Sequence, residues 1–145
     1  MNIQKTLLSL ATIMLFGFAQ AQVKSLKSED DARALSLKSV ISFKDGKIAE
    51  SFTALKAYWP LPEDEIDLMT GKTVNTLAKV DERFGEFQSY FKLKEETIKD
   101  TAFRETYLVK YKYHALRLIF TYYKNNSGWI LNGFAWDDKY AEEFK

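Results

Sequence analysis

One acidic residue, Glu105, stands in an alternating stretch of aromatic and apolar side chains, and it is the group in this chain best placed to do chemistry. Phe103, Glu105, Tyr107, Val109, Tyr111 and Tyr113 fall on one face of a strand. A carboxylate on a core-facing set is costly unless it is paired. In one reading Glu105 sits in a pocket as a general acid or base, with Tyr107 orienting a substrate. In the other it lies at the sheet's rim, solvated or paired with a lysine or arginine. Tyr58, Trp59, Tyr107, Tyr111 and Tyr122 supply apolar bodies with polar tips, as ligand pockets do. The same side chains would also simply fill a small core.

The remaining candidates have simpler explanations. Gly71-Lys72-Thr73 resembles the end of a phosphate-binding loop, but Ile66 occupies the position where that loop needs glycine. His114 is the single histidine and falls at a hairpin tip, where a solvated turn residue is expected. The chain has no cysteine. Thiolate zinc sites, thiol nucleophiles, disulfides and a lipid-modified cysteine are therefore excluded. Glu63-Asp64-Glu65, Asp81-Glu82 and Asp137-Asp138 match no calcium-loop pattern. They read as a helix start, a solvated helix face and a cap. No metal and no cofactor is expected. Asn125-Asn126-Ser127 formally matches a glycosylation acceptor but reads better as a turn. Asp100-Thr101-Ala102 resembles a short O-glycosylation motif of some exported bacterial proteins and would place the sugar on Thr101.

The opening residues carry an address. Lys5 is followed by a mostly apolar run from Thr6 to Phe18, then Ala19-Gln20-Ala21. This is the pattern of a signal peptide over residues 1–21, cleaved between Ala21 and Gln22. The run is shorter than a comfortable membrane span of about twenty residues. The mature protein is expected to be periplasmic or secreted, without stable membrane insertion. Net charge is +1, which gives no pull toward nucleic acid. With 46% hydrophobic and 15% aromatic residues, 145 residues less a leader suffice for one packed domain over 22–145.

These candidate residues are positioned by two kinds of element. Up to about Gly85 the pattern is helical. Ser28 and Asp31 form a capping signature before a stripe of Ala32, Leu35, Ser39, Val40 and Phe43. Asp45-Gly46 stops that helix, and a second follows with Ile48, Phe52, Leu55 and Trp59 inward. Pro60 ends it. Pro62 with three acids opens a third helix, facing inward through Ile66, Met69, Thr73, Leu77, Val80 and Phe84, with a bend allowed at Gly71. From Phe87 the period becomes two. Strands are expected over about Phe87–Glu96, Phe103–His114, Leu116–Lys124 and Trp129–Trp136. A tight turn after Tyr113 would pair Tyr111 with Leu118, Val109 with Phe120 and Tyr107 with Tyr122. The fold class is α+β, with N-terminal helices on one face of a curved antiparallel sheet of about four strands.

The element order, the Asp45-Gly46-Lys47 turn and the closing strand Gly128-Trp129-Ile130-Leu131-Asn132-Gly133-Phe134 resemble the nuclear transport factor 2-like (cystatin-like) superfamily, in particular its exported bacterial members. The resemblance spans roughly Ser25 to Lys145. It implies a cone-shaped domain with a pocket at its open end, and it leaves function open among enzymes, ligand binders and dimerising modules. Enzymes of that superfamily use a pocket acid near a tyrosine, but their motif does not map onto this chain residue by residue. On the sheet's other face, Lys112, Arg117, Ile119, Phe134 and Trp136 are expected together, either as a homodimer interface or with Arg117 on Trp136 as a cation–π pair. The leading expectation is a non-enzymatic binding module for a small apolar ligand in the cone or a protein on the sheet face. The alternative is an isomerase, dehydratase or hydrolase built on Glu105 and Tyr107.

Overall fold

The computed structural model describes residues 22–144. The leader expected over residues 1–21 lies outside the described residues. Helix α1 (Glu29–Lys44) starts at a reciprocal cap: Asp31 N donates to Ser28 Oγ, and Ser28 N donates to Asp31 Oδ2, each at 3.1 Å. Gly46, with φ +72°, lets the chain reverse into α2 (Ile48–Lys56). Trp59 falls just past the end of α2 yet is buried. Helix α3 (Glu63–Phe84) continues unbroken through Gly71 and stops at Gly85, φ +77°. Four strands follow: β1 (Phe87–Ile98), β2 (Ala102–Tyr111), β3 (Ala115–Asn125) and β4 (Gly128–Asp137). They pair in chain order as an open, curved antiparallel sheet with the helices N-terminal to it, an α+β fold. A short 3₁₀ turn, Tyr140–Glu143, closes the chain.

The hairpin register between β2 and β3 differs from the expected one. Tyr107 meets Leu118, Val109 meets Leu116 and Phe103 meets Tyr122. The turn is as tight as the sequence suggests but falls two residues earlier, at Lys112-Tyr113. Tyr111 N bonds His114 O at 2.8 Å, while Lys112 N and Tyr113 N bond the carbonyls of Glu86 and Phe84. The hairpin tip is thus tied to the corner between α3 and β1, and Tyr113 is 71% exposed instead of core-facing. The slip is an even number of residues, so the inward set of β3 keeps its face.

Strand β4 carries the larger correction. Its pairing with β3 shifts by one residue opposite Thr121 and Tyr122, leaving Asn132 as the extra residue of a bulge. Before it, Trp129 and Leu131 point inward. After it, the phase flips, so Phe134 and Trp136 point inward as well. Strict alternation would have put them on the outer face. Phe134 instead sits among Phe43, Phe52, Trp59 and Phe120, with ring centroids 4.9–6.3 Å away. These rings, with Leu55, Leu116, Leu118 and Leu131, fill the space between helices and sheet.

Candidate functional site

Glu105 is completely buried on the inner face of β2. Lys92 Nζ stands 2.6 Å from its Oε1, but off hydrogen-bonding angles, so neither carboxylate oxygen receives a well-formed hydrogen bond among the described residues. Two bulges in β1, at Gln88 and Leu93, turn Lys92 and Glu95 to the same side as Glu105. Lys92 also donates to Glu95 at 3.1 Å, and Arg33 of α1 clasps Glu95 from the other side at 2.7 and 3.2 Å. Arg33 further reaches Glu29 and Asp30. The result is a chain of alternating charges that runs from the first turn of α1 into the sheet. Of the two sequence readings of Glu105, the structure places a lysine partner on it.

The network perturbs its members in definite directions. The Arg33 hydrogen bond holds the Glu95 carboxyl below its ordinary range. For Lys92, partial burial alone would lower the ammonium, but Glu105 and Glu95 outweigh it and raise it. Burial pushes the Tyr107 hydroxyl up to about 12, with the Glu105 charge adding to it. Burial likewise pushes Tyr111 up to about 12. Tyr122 is raised by burial against the opposing effect of its 2.8 Å bond with Ser36 Oγ.

The nominated ligand residues do not converge. Clefts of about 710, 270, 300 and 260 Å³ indent the surface. Tyr58 lines the first, an open trough between the N-terminal segment, α1 and α2. Trp59, Glu105, Tyr107, Tyr111 and Tyr122 line none of these four. Trp59 belongs to the aromatic core, Tyr111 lies beside Phe84 and Phe87, and Tyr122 stacks on Phe103. The nominated interface disperses too. Arg117 does not meet Trp136, because the two point to opposite faces. Arg117 is bidentate to Asp137 at 2.7 and 2.8 Å and reaches Glu142 and Glu143. Ile119 shares its outer face and is partly covered, and Lys112 is exposed at the hairpin tip. His114 lies just after the turn rather than at its tip and, instead of being solvated, packs its ring on Phe84 and Tyr140. Thr101 is exposed between β1 and β2.

The cleft of about 270 Å³ has the make-up of a binding site. Its floor is the partly exposed Trp136 with the buried Phe84 and Leu116 beneath it, and α3 walls it with Thr76, Lys79, Val80 and Arg83. Trp136 Nε1 donates to the buried Thr73 Oγ1 at 3.0 Å, which fixes the indole plane. Asp137 and Asp138 edge the other side, but Asp137 is spent on Arg117, and Asp138 lies 3.7 Å from His114. Lys79 and Arg83 have no carboxylate partner among the described residues. The Arg83 guanidinium lies over the Phe84 ring, 5.7 Å from its centroid.

No family model, curated protein or solved structure matches this chain.

Lys79 and Arg83 are the residues that sequence reasoning passed over. They are one helical turn apart and flank Val80, and that spacing beside a buried stripe was the available signal. Lys92 was equally findable as a cation in the strand expected beside Glu105. Its phase, however, depends on two bulges that no alternation pattern announces.

Proposed function

We propose that the protein is an exported, periplasmic or secreted binding module of the nuclear transport factor 2-like (cystatin-like) type, non-enzymatic, taking a small apolar ligand. The observation that carries this reading is the cleft between α3 and β4, with its aromatic floor and pinned Trp136. Against the enzyme alternative, Glu105 is buried beside Lys92, and none of the four clefts touches Glu105 or Tyr107. The test is native mass spectrometry of protein purified from its own envelope fraction, with the Trp136 indole N–H followed by NMR as extracted envelope metabolites are added back. A retained small molecule that moves this resonance supports the reading. A ligand that leaves it in place and instead requires Glu105 overturns it.

A protein partner on the outer sheet face, such as a second copy, is a second reading. The exposed Phe91, Ile98 and Tyr123 favour it. Analytical ultracentrifugation decides it, with Phe91→Ser expected to dissociate any dimer held by this face.

A further inference from the structure

The cleft's charges say what kind of molecule fills it. We propose that the ligand's apolar body, a short aromatic or aliphatic chain seated against Trp136, carries a single carboxylate held by Lys79 and Arg83. This inference rests on the reading of that cleft as the binding site.

The argument is one of desolvation. A ligand seated on the floor displaces water from the α3 wall, where Lys79 and Arg83 stand one turn apart. Stripping water from cations without supplying a counter-charge is costly. The cleft's own acids make no ion pair with these cations: Asp137 is bidentate to Arg117, and Asp138, about half exposed on the opposite edge, reaches neither of them. A neutral ligand leaves the two cations uncompensated, and a cationic ligand adds repulsion. A carboxylate meets the planar fork of Arg83 and the ammonium of Lys79 with charge-assisted hydrogen bonds. The volume, room for about nine water molecules, limits the body to something of the size of a phenylalkyl or short fatty acid.

The experiment uses three probes of matched shape: 4-phenylbutyrate, 4-phenylbutan-1-ol and 4-phenylbutylamine. Binding is read from the Trp136 indole N–H in ¹H–¹⁵N spectra, assigned by its disappearance in Trp136→Phe. Trp59 and Trp129 are buried away from the cleft and serve as internal references. The carboxylate is expected to bind at least about tenfold more tightly than the alcohol, with the amine weakest. Added salt should shrink the difference. The double variant Lys79→Gln, Arg83→Gln, at helix surface positions where Gln is a good helix former, should bring carboxylate and alcohol to equal affinity. Equal affinities in the unmutated protein would overturn the anion and leave the apolar cleft standing. If none of the probes moves the Trp136 resonance, the cleft is no ligand site and both readings fall.

Discussion

Glu105 shows why a buried acid is not by itself a catalytic one. Its carboxylate is out of contact with water, and Lys92 is the charge that compensates it. Removing the lysine should therefore hurt more than removing the acid. Lys92→Met leaves a buried uncompensated carboxylate and is expected to cost about 3 kcal/mol. Glu105→Gln leaves a lysine that can turn to solvent, and should cost clearly less. Urea denaturation of the two variants checks the order, and the reverse order would mean that Glu105 has another partner. If the pair is structural, neither Glu105→Gln nor Tyr107→Phe should alter ligand affinity in the α3 cleft. The tyrosines offer a second check. Tyr107 and Tyr111 are pushed up to about 12 by burial, above the usual value near 10. A group with a raised pKa in the folded state contributes stability that is intact below its unfolded value and lost as pH climbs through the folded one. Stability should thus decline from about pH 10 upward. An absorbance titration should find hydroxyls that ionise late, and Tyr107→Phe should remove one of them.

At the scale of elements, local chemistry was legible and strand phase was not. The Ser28–Asp31 cap, the stop at Asp45-Gly46 and the proline-led start of α3 each rest on a few adjacent residues, so the helices could be read from the chain. The inward set Val109, Leu118, Phe120 and Tyr122 was legible for the same reason. Bulges are different. Asn132 is an exposed asparagine beside a glycine, and nothing in its neighbourhood distinguishes an extra residue from an ordinary outward one. Only the global demand that Trp129, Leu131, Phe134 and Trp136 all be buried requires it, and that demand becomes visible once the helices are in place. The missed phase sent Phe134 and Trp136 to the wrong face and hid the floor of the α3 cleft. Deleting Asn132 tests this account directly. The deletion removes the extra residue and leaves a regular ladder in which Phe134 and Trp136 still face inward, so the cooperative thermal transition and a blue-shifted tryptophan emission should both be kept. Loss of the transition with a red-shifted emission would mean that Asn132 is not the extra residue. Gly128 offers a milder probe of the same strand. Its φ is +134°, and a Cβ there would collide with the Leu26 carbonyl, which accepts from Trp129 N. Gly128→Ala should lower the melting temperature by releasing the N-terminal segment from β4.

Across the whole molecule, two ion networks close opposite faces of the sheet, and both rest on carboxylates. On the inner face Glu95 joins Arg33 of α1 to Lys92 of β1. On the outer face Asp137 and Glu143 hold Arg117 of β3, and Glu143 also takes Lys94 of β1, so the C-terminal turn is strapped across the sheet. Arg117 lowers the Asp137 carboxyl, while Lys94 followed by Arg117 lowers that of Glu143, and Arg33 does the same to Glu95. All three folded values lie below the unfolded ones. Their contribution is therefore full above the ordinary carboxylate range, near pH 4, and is lost as pH falls through that range toward the folded values. With no disulfide among the described residues to hold the chain, acid should loosen both straps together. Urea midpoints measured from about pH 7 down to about pH 2 should fall steeply below pH 4. Asp137→Asn should lower the midpoint at neutral pH and flatten that descent, because it removes a titrating group and leaves Arg117 less well compensated. A descent unchanged in Asp137→Asn and in Glu95→Gln would mean that the straps add nothing to stability, and that the aromatic core around Phe134 holds the sheet to the helices unaided.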